Sequence, residues 1–136
     1  MRYLCLIHGD AEVYDALPQA DQDALVDAHL DYDEHLRQRG HLVSAEALQG
    51  PEATRIVRMR DGVISATDGP FAETKEQIGG FYLIEAQGLD EAIAIAGHIP
   101  AARLGSVEVR PIRDLIAERD HRPDSGRAGL SAGDNG

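Results

Sequence analysis

The sequence predicts an α+β fold: two β-α-β halves forming a ferredoxin-like sandwich, with an antiparallel sheet and helices on one face. Three observations carry this reading. An apolar strand opens the chain at residues 2–8, and a helical period runs from about Gln19 to Arg39. A strand, a short helix and a strand then follow at Phe81–Ala86, Asp90–Ile99 and Ser106–Ile112.

In the first strand Tyr3, Cys5 and Ile7 alternate with Leu4, Leu6 and His8. Both sets are largely apolar, as a central strand covered on two sides requires. Met1–His8 is read as this strand and not as a signal peptide, because Gly9-Asp10 follows at once and no small-residue cleavage site is present. Residues 9–18 read as a loop closing at Pro18. In the helix, Leu25, Ala28, His29, Tyr32 and Leu36 form the apolar stripe, and Gly40 supplies the C-terminal stop. Asp21, Asp23 and Asp27 near its start and Arg37 and Arg39 at its end suit the helix dipole.

His41–Leu48 reads as a strand. Ala53–Arg60 and Val63–Thr67 flank Asp61-Gly62, a pair suited to a tight hairpin because both central residues need positive φ. Asp68–Gly79 lacks a clear period, with room for one helical turn near Glu73–Gln77. Asp90 is the expected N-cap of the short helix, and Pro100 lies just beyond its end. Leu4, Leu6 and Ile84 are assigned to the sheet face away from the helices. That face is too apolar to meet water, so a homodimer with two sheets facing each other is expected. Residues 1–112 form the domain. Residues 113–136 are an extension, with a brief helix over Arg113–His121 and disorder from Arg122 onward.

The 136 residues suit one domain, and no apolar run is long enough to span a bilayer. A single cysteine, Cys5, excludes an internal disulfide and suits a reducing cytoplasm. Cys5 itself reads as a small buried apolar residue. The net charge of −11 argues against nucleic acid and against an anionic membrane surface. Nine acids and no Lys or Arg lie in residues 10–34. Such a face is either simply solvated or a dock for a basic partner.

The most distinctive string is Asp68-Gly69-Pro70-Phe71-Ala72-Glu73-Thr74-Lys75-Glu76, followed by Gly79-Gly80-Phe81-Tyr82. Asp-Gly-Pro makes a sharp turn, Phe71 is the expected apolar anchor of the loop, and Gly79-Gly80 suggests a bulge or close backbone approach. This string resembles the signature of the DGPF family, the larger branch of the YCII-related proteins. The resemblance spans residues 1–112, including the His29 helix, the Pro100-Ala101-Ala102 turn and the closing Ser106–Pro111 segment. It implies a dimeric α/β barrel. It also implies a His–Asp pair acting on small molecules in YCII relatives, and for the DGPF branch a genetic neighbourhood beside alternative sigma factors.

His29 is the candidate general base, since it stands on a buried stripe where a structural helix would prefer Leu. The competing reading is a satisfied core histidine bonded to Tyr32 or a backbone carbonyl. Asp68 is its candidate partner, although an Asx-turn role would also account for it. Tyr32, Phe71, Lys75 and His8 are the candidate substrate contacts. His8 is expected on a rim, because a helix rising about 1.5 Å per residue carries His29 back towards the middle of the first strand. Lys75, the one lysine beside twelve arginines, suits an anion or a pair with Glu73 or Glu76. Glu108 and Arg110 read as structural partners across the sheet or a dimer interface. Asp31 and His35 share a helix side without a third ligand, so no metal is expected, and no cofactor motif is present. Two function classes follow: an enzyme using His29 for proton transfer or elimination on a small polar molecule, and a non-catalytic dimeric accessory module linked to sigma-factor regulation.

Overall fold

The computed structural model describes residues 1–123, so most of the expected disordered stretch lies outside the described residues. A four-stranded antiparallel sheet forms in the order β2-β5-β1-β6, from Leu42–Ala47, Glu76–Glu85, Arg2–Asp10 and Ser106–Pro111. The helices α2 (Gln19–Gln38) and α3 (Leu89–Gly97) are the crossovers of the two β-α-β halves. This is the expected α+β arrangement with a ferredoxin-like strand order. No helix among these residues is long and apolar enough to cross a membrane.

The core lies between the sheet and the two helices. Tyr3 and Cys5 of β1, Tyr82 and Ile84 of β5, Leu36 of α2 and Ile95 of α3 are all buried there. Strand alternation puts Leu4, Leu6, Phe81 and Leu83 on the opposite face, where they are half-buried. Ile84 does not join them: it aligns with Tyr3 and is 0% exposed on the helix side.

The β1–β5 register shifts between Ile7 and His8, where Ile7 faces Gly80 and His8 faces Ile78, leaving Gly79 extra. One inserted residue exchanges the faces of everything beyond it. The expected bulge at Gly79-Gly80 is thus present. A Cβ on Gly80 would stand 2.8 Å from the Glu46 carbonyl oxygen, so the expected close backbone approach is present too.

Three further places differ from the sequence reading, while the brief helix expected over Arg113–His121 is present. β1 runs on to Asp10, whose carboxylate accepts from Glu12 N at 2.9 Å and caps the five-residue helix α1 (Ala11–Asp15) within the expected loop. α3 starts after Gly88 and not after Asp90; Glu91 reaches back to accept from Gln87 N at 2.9 Å. β5 begins at Glu76, in place of a helical turn at Glu73–Gln77. The helix α4 (Leu115–Asp120) is capped by the Asp114 side chain, which accepts from Ala117 N at 3.0 Å.

The Asp61-Gly62 hairpin forms as expected, with φ of 52° and 76° at the two residues. Its strands, β3 (Arg55–Arg60) and β4 (Val63–Asp68), make a two-stranded ribbon separate from the main sheet. Thr54 O accepts from Gly69 N at 3.0 Å and closes the base of the ribbon.

Candidate functional site

Burial of α2 follows a stripe of Gln22, Leu25, His29, Tyr32, Asp33 and Leu36. Ala28, expected on that stripe, is exposed, and Asp33 is turned inward in its stead. His29 and Asp33 are one helical turn apart, the spacing at which side chains become neighbours. Opposite them stands Tyr82, on the central strand β5 and paired with Cys5 of β1.

Together these elements build a compact polar cluster at the helix–sheet boundary. His29 Nδ1 and the Tyr82 hydroxyl lie 3.1 Å apart. The Tyr32 hydroxyl donates to Ile95 O at 2.7 Å, with its ring tilted against that of Tyr82 at a centroid distance of 6.2 Å. Asp33 Oδ1 is buried without a hydrogen-bond partner among the described residues. An unsatisfied buried acceptor costs on the order of 1–3 kcal/mol, so its retention requires an explanation.

Electrostatics sort the protons. Burial pushes the His29 imidazole below its ordinary value, against a smaller opposing pull from Asp33, which favours the neutral ring. Burial, reinforced by the neighbouring Asp33 carboxylate, holds the Tyr82 hydroxyl far above the usual phenol range. Tyr32 is pushed up to about 12, chiefly by burial. Both phenols therefore remain donors at neutral pH. No arginine or lysine among the described residues contributes to these shifts.

A pH dependence follows. Because the folded value of His29 is lowered, the unfolded chain takes up its proton first on acidification. Stability is expected to fall as pH drops below the unfolded histidine value of about 6.5 and to level off below the folded value. A ¹⁵N-histidine NMR titration should place His29 below an exposed histidine of the same chain. Asp33→Asn removes the opposing charge and should lower His29 further; an upward shift would contradict this assignment.

The remaining sequence candidates are dispersed. The expected middle-of-strand position of His29 agrees with its bond to Tyr82, opposite Cys5. Asp68 is 90% exposed and pairs with Arg55 at 3.2 Å across the ribbon, so within one chain the His29–Asp68 contact does not form. His8 Nε2 lies 2.9 Å from Glu108 Oε1, which gives Glu108 a partner across the sheet other than Arg110. Phe71 is 83% exposed and anchors nothing among the described residues, contrary to expectation. Lys75 makes no ion pair among the described residues, with Glu73, Glu76 or any other acid; it lines an open cleft of about 500 Å³ with Asp10, Glu12, Glu52 and Glu73. That cleft is separate from the His29 cluster.

Cys5 is fully buried, and burial pushes its thiol up to about 11, so it is an inert core residue, as read from the sequence. Asp33 and Tyr82 were not singled out from the sequence. Asp33 could have been found by its i+4 spacing from His29, whereas Tyr82 required the strand register.

Comparison with known proteins assigns the chain to a family. The model of the YCII-related domain matches residues 1–116. The chain belongs to the YCII-related family. An uncharacterized protein of Rhizobium meliloti (strain 1021) is 34% identical over 114 residues, which cover 82% of this chain and 92% of that relative. The family match thus contains every residue of the His29 cluster and continues into α4.

Proposed function

We propose that this YCII-related domain performs His29-assisted proton transfer on a small polar molecule. The observation that carries the reading is the His29–Tyr82 contact beside the buried, unpartnered Asp33 oxygen. The Asp33 carboxylate draws the Tyr82 proton, the Tyr82 oxygen accepts from Nδ1–H, and the Nε2 lone pair of the neutral ring is left as the base. Such an ordered donor chain fixes the tautomer of a catalytic histidine. Tyr82 and Asp33 act as positioning residues, and Tyr32 fixes the wall of the cluster. With no lysine or arginine of the described residues acting on it, the site favours a neutral ligand that can donate a proton over a multiply charged anion.

The reading includes a homodimer and the barrel that the DGPF resemblance implies. The apolar sheet face of Leu4, Leu6, Phe81 and Leu83 supports it, since a second copy would remove that face from water. In this reading the cell compartment is the cytoplasm, and Asp68, Lys75, Phe71 and His8 serve binding at the rim and loop rather than the proton relay.

The test uses ¹⁵N-histidine-labelled protein and a panel of small neutral carbonyl compounds, phenols and organic acids. At least one neutral member is expected to shift the His29 Nε2 resonance, and His29→Gln should weaken its binding at least tenfold. Tyr82→Phe should retain binding while changing the tautomer signal. A panel that leaves the His29 ring unperturbed, or equal binding by His29→Gln, would sink the reading. A second reading rests on α2, where exposed Val26 and Leu30 stand among Asp23, Asp27 and Asp31. There the domain is an accessory module whose acidic helix docks a basic partner, with a sigma factor as the partner suggested by the DGPF resemblance.

A further inference from the structure

The β3–β4 ribbon has no counterpart in the proton-transfer reading. Val57, Met59 and Ile64 share one side of it and are 64%, 48% and 67% exposed. Its strands pack on each other and on no other element to a comparable extent. A two-stranded hairpin standing alone in water is marginal, so a protein that keeps one with an apolar side has a surface to lay it on.

Charge indicates which surface. Three of the six residues of β3 are arginines: Arg55, Arg58 and Arg60. Arg55 is held by Asp68, whereas Arg58 and Arg60, which alternate to the side of the ribbon opposite Val57, Met59 and Ile64, make no ion pair among the described residues. The complementary surface on the same protein is the outer side of α2. It combines exposed Val26 and Leu30 with exposed Asp27 and Asp31, which likewise make no ion pair among the described residues. An apolar and basic ribbon thus matches an apolar and acidic helix. Each chain carries one of each, the condition for a closed twofold contact.

We propose that the β3–β4 ribbon is an arm that docks on α2 of a second copy of this chain. Val57, Met59 and Ile64 pack on the partner helix around its exposed Val26 and Leu30 positions, and the long Arg58 and Arg60 side chains reach round the ribbon edge to its aspartates. The helix that carries His29 is thereby braced by the other protomer. This inference rests on the self-association proposed above but not on catalysis by His29.

A charge exchange tests it, read as dimer dissociation by analytical ultracentrifugation, with melting curves to confirm folding. Arg58→Glu/Arg60→Glu in one chain and Asp27→Arg/Asp31→Arg in another should each weaken self-association at least tenfold. Mixed together, the two variants should associate as tightly as the unmodified protein, because every arm then meets a helix of opposite sign. Ile64→Asp, at an exposed position, should weaken association while the variant still melts in one cooperative transition. Leu6→Asp separates the two ideas. If Leu6→Asp dissociates the dimer while the charge variants and Ile64→Asp leave it intact, the arm is refuted and the sheet-to-sheet dimer stands. Failure of the mixed variants to recover association also refutes the arm, and a monomeric unmodified protein refutes both.

Discussion

Replacing Ile84 with alanine is expected to destabilise the protein by about 2–5 kcal/mol, the range for deleting a fully buried aliphatic side chain. Ile84 is 0% exposed, and its strand β5 lies between β1 and β2, where Ile84 aligns with Tyr3 on one side and Leu42 on the other. Neighbours fixed in sheet strands relax poorly into a void, so the cost should lie well above that of an exposed site. Single domains of this size hold about 5–15 kcal/mol in total, so the loss is a large share. Urea denaturation should show a lower midpoint at an unchanged slope. Ile64→Ala on the ribbon, at 67% exposure, should change the stability of the isolated chain by no more than about 0.5 kcal/mol. Equal effects at the two sites would contradict the placement of Ile84 in the core.

A methyl group on Gly105 should do comparable damage by the opposite route. Its Cβ would overlap the His8 carbonyl oxygen and stand 3.1 Å from Gly9 Cα, both backbone atoms that cannot rotate away. Gly105 immediately precedes β6, so relief requires the start of that strand to move off β1 at the His8–Ser106 pair. Overpacking of this kind costs about 1–3 kcal/mol. The control is Gly97→Ala in the last turn of α3, where a Cβ meets nothing within 4 Å. There alanine should be neutral or stabilising by up to about 1 kcal/mol, because it orders the helical backbone at lower entropic cost. Thermal melting should therefore fall for Gly105→Ala and hold or rise for Gly97→Ala.

Which parts of this were legible in the sequence depends on the range of the interactions involved. Asp61-Gly62 specifies its own turn, and the period of residues 19–39 specifies a helix, because both signals are local. Gly79-Gly80 announced a bulge for the same reason. The register was not legible: Ile84 was placed beside Leu4 and Leu6, because which residues of β5 share a face with those of β1 depends on a pairing between distant segments. Asp33 was hidden in another way. It belongs to a run of nine acids that reads as a solvated face, and only its packing against Tyr82 and His29 distinguishes it from the other eight. Phe71 shows the reverse error. An aromatic in a turn was read as an anchor, but pattern alone cannot tell an anchor from an exposed side chain.

The buried thiol of Cys5 has a use unrelated to chemistry at the His29 cluster. It sits on the central strand β1 with strands on both sides and the helices above it, and it is the chain's one cysteine. A thiol reagent can reach it only when that layered arrangement opens, and reaction requires the thiolate, which burial disfavours. Its labelling rate is therefore a built-in clock for the rarest excursions of the native state, free of signal from loops and termini. Read over a range of reagent concentrations, that clock separates the rate at which the sheet opens from the fraction of time it stays open.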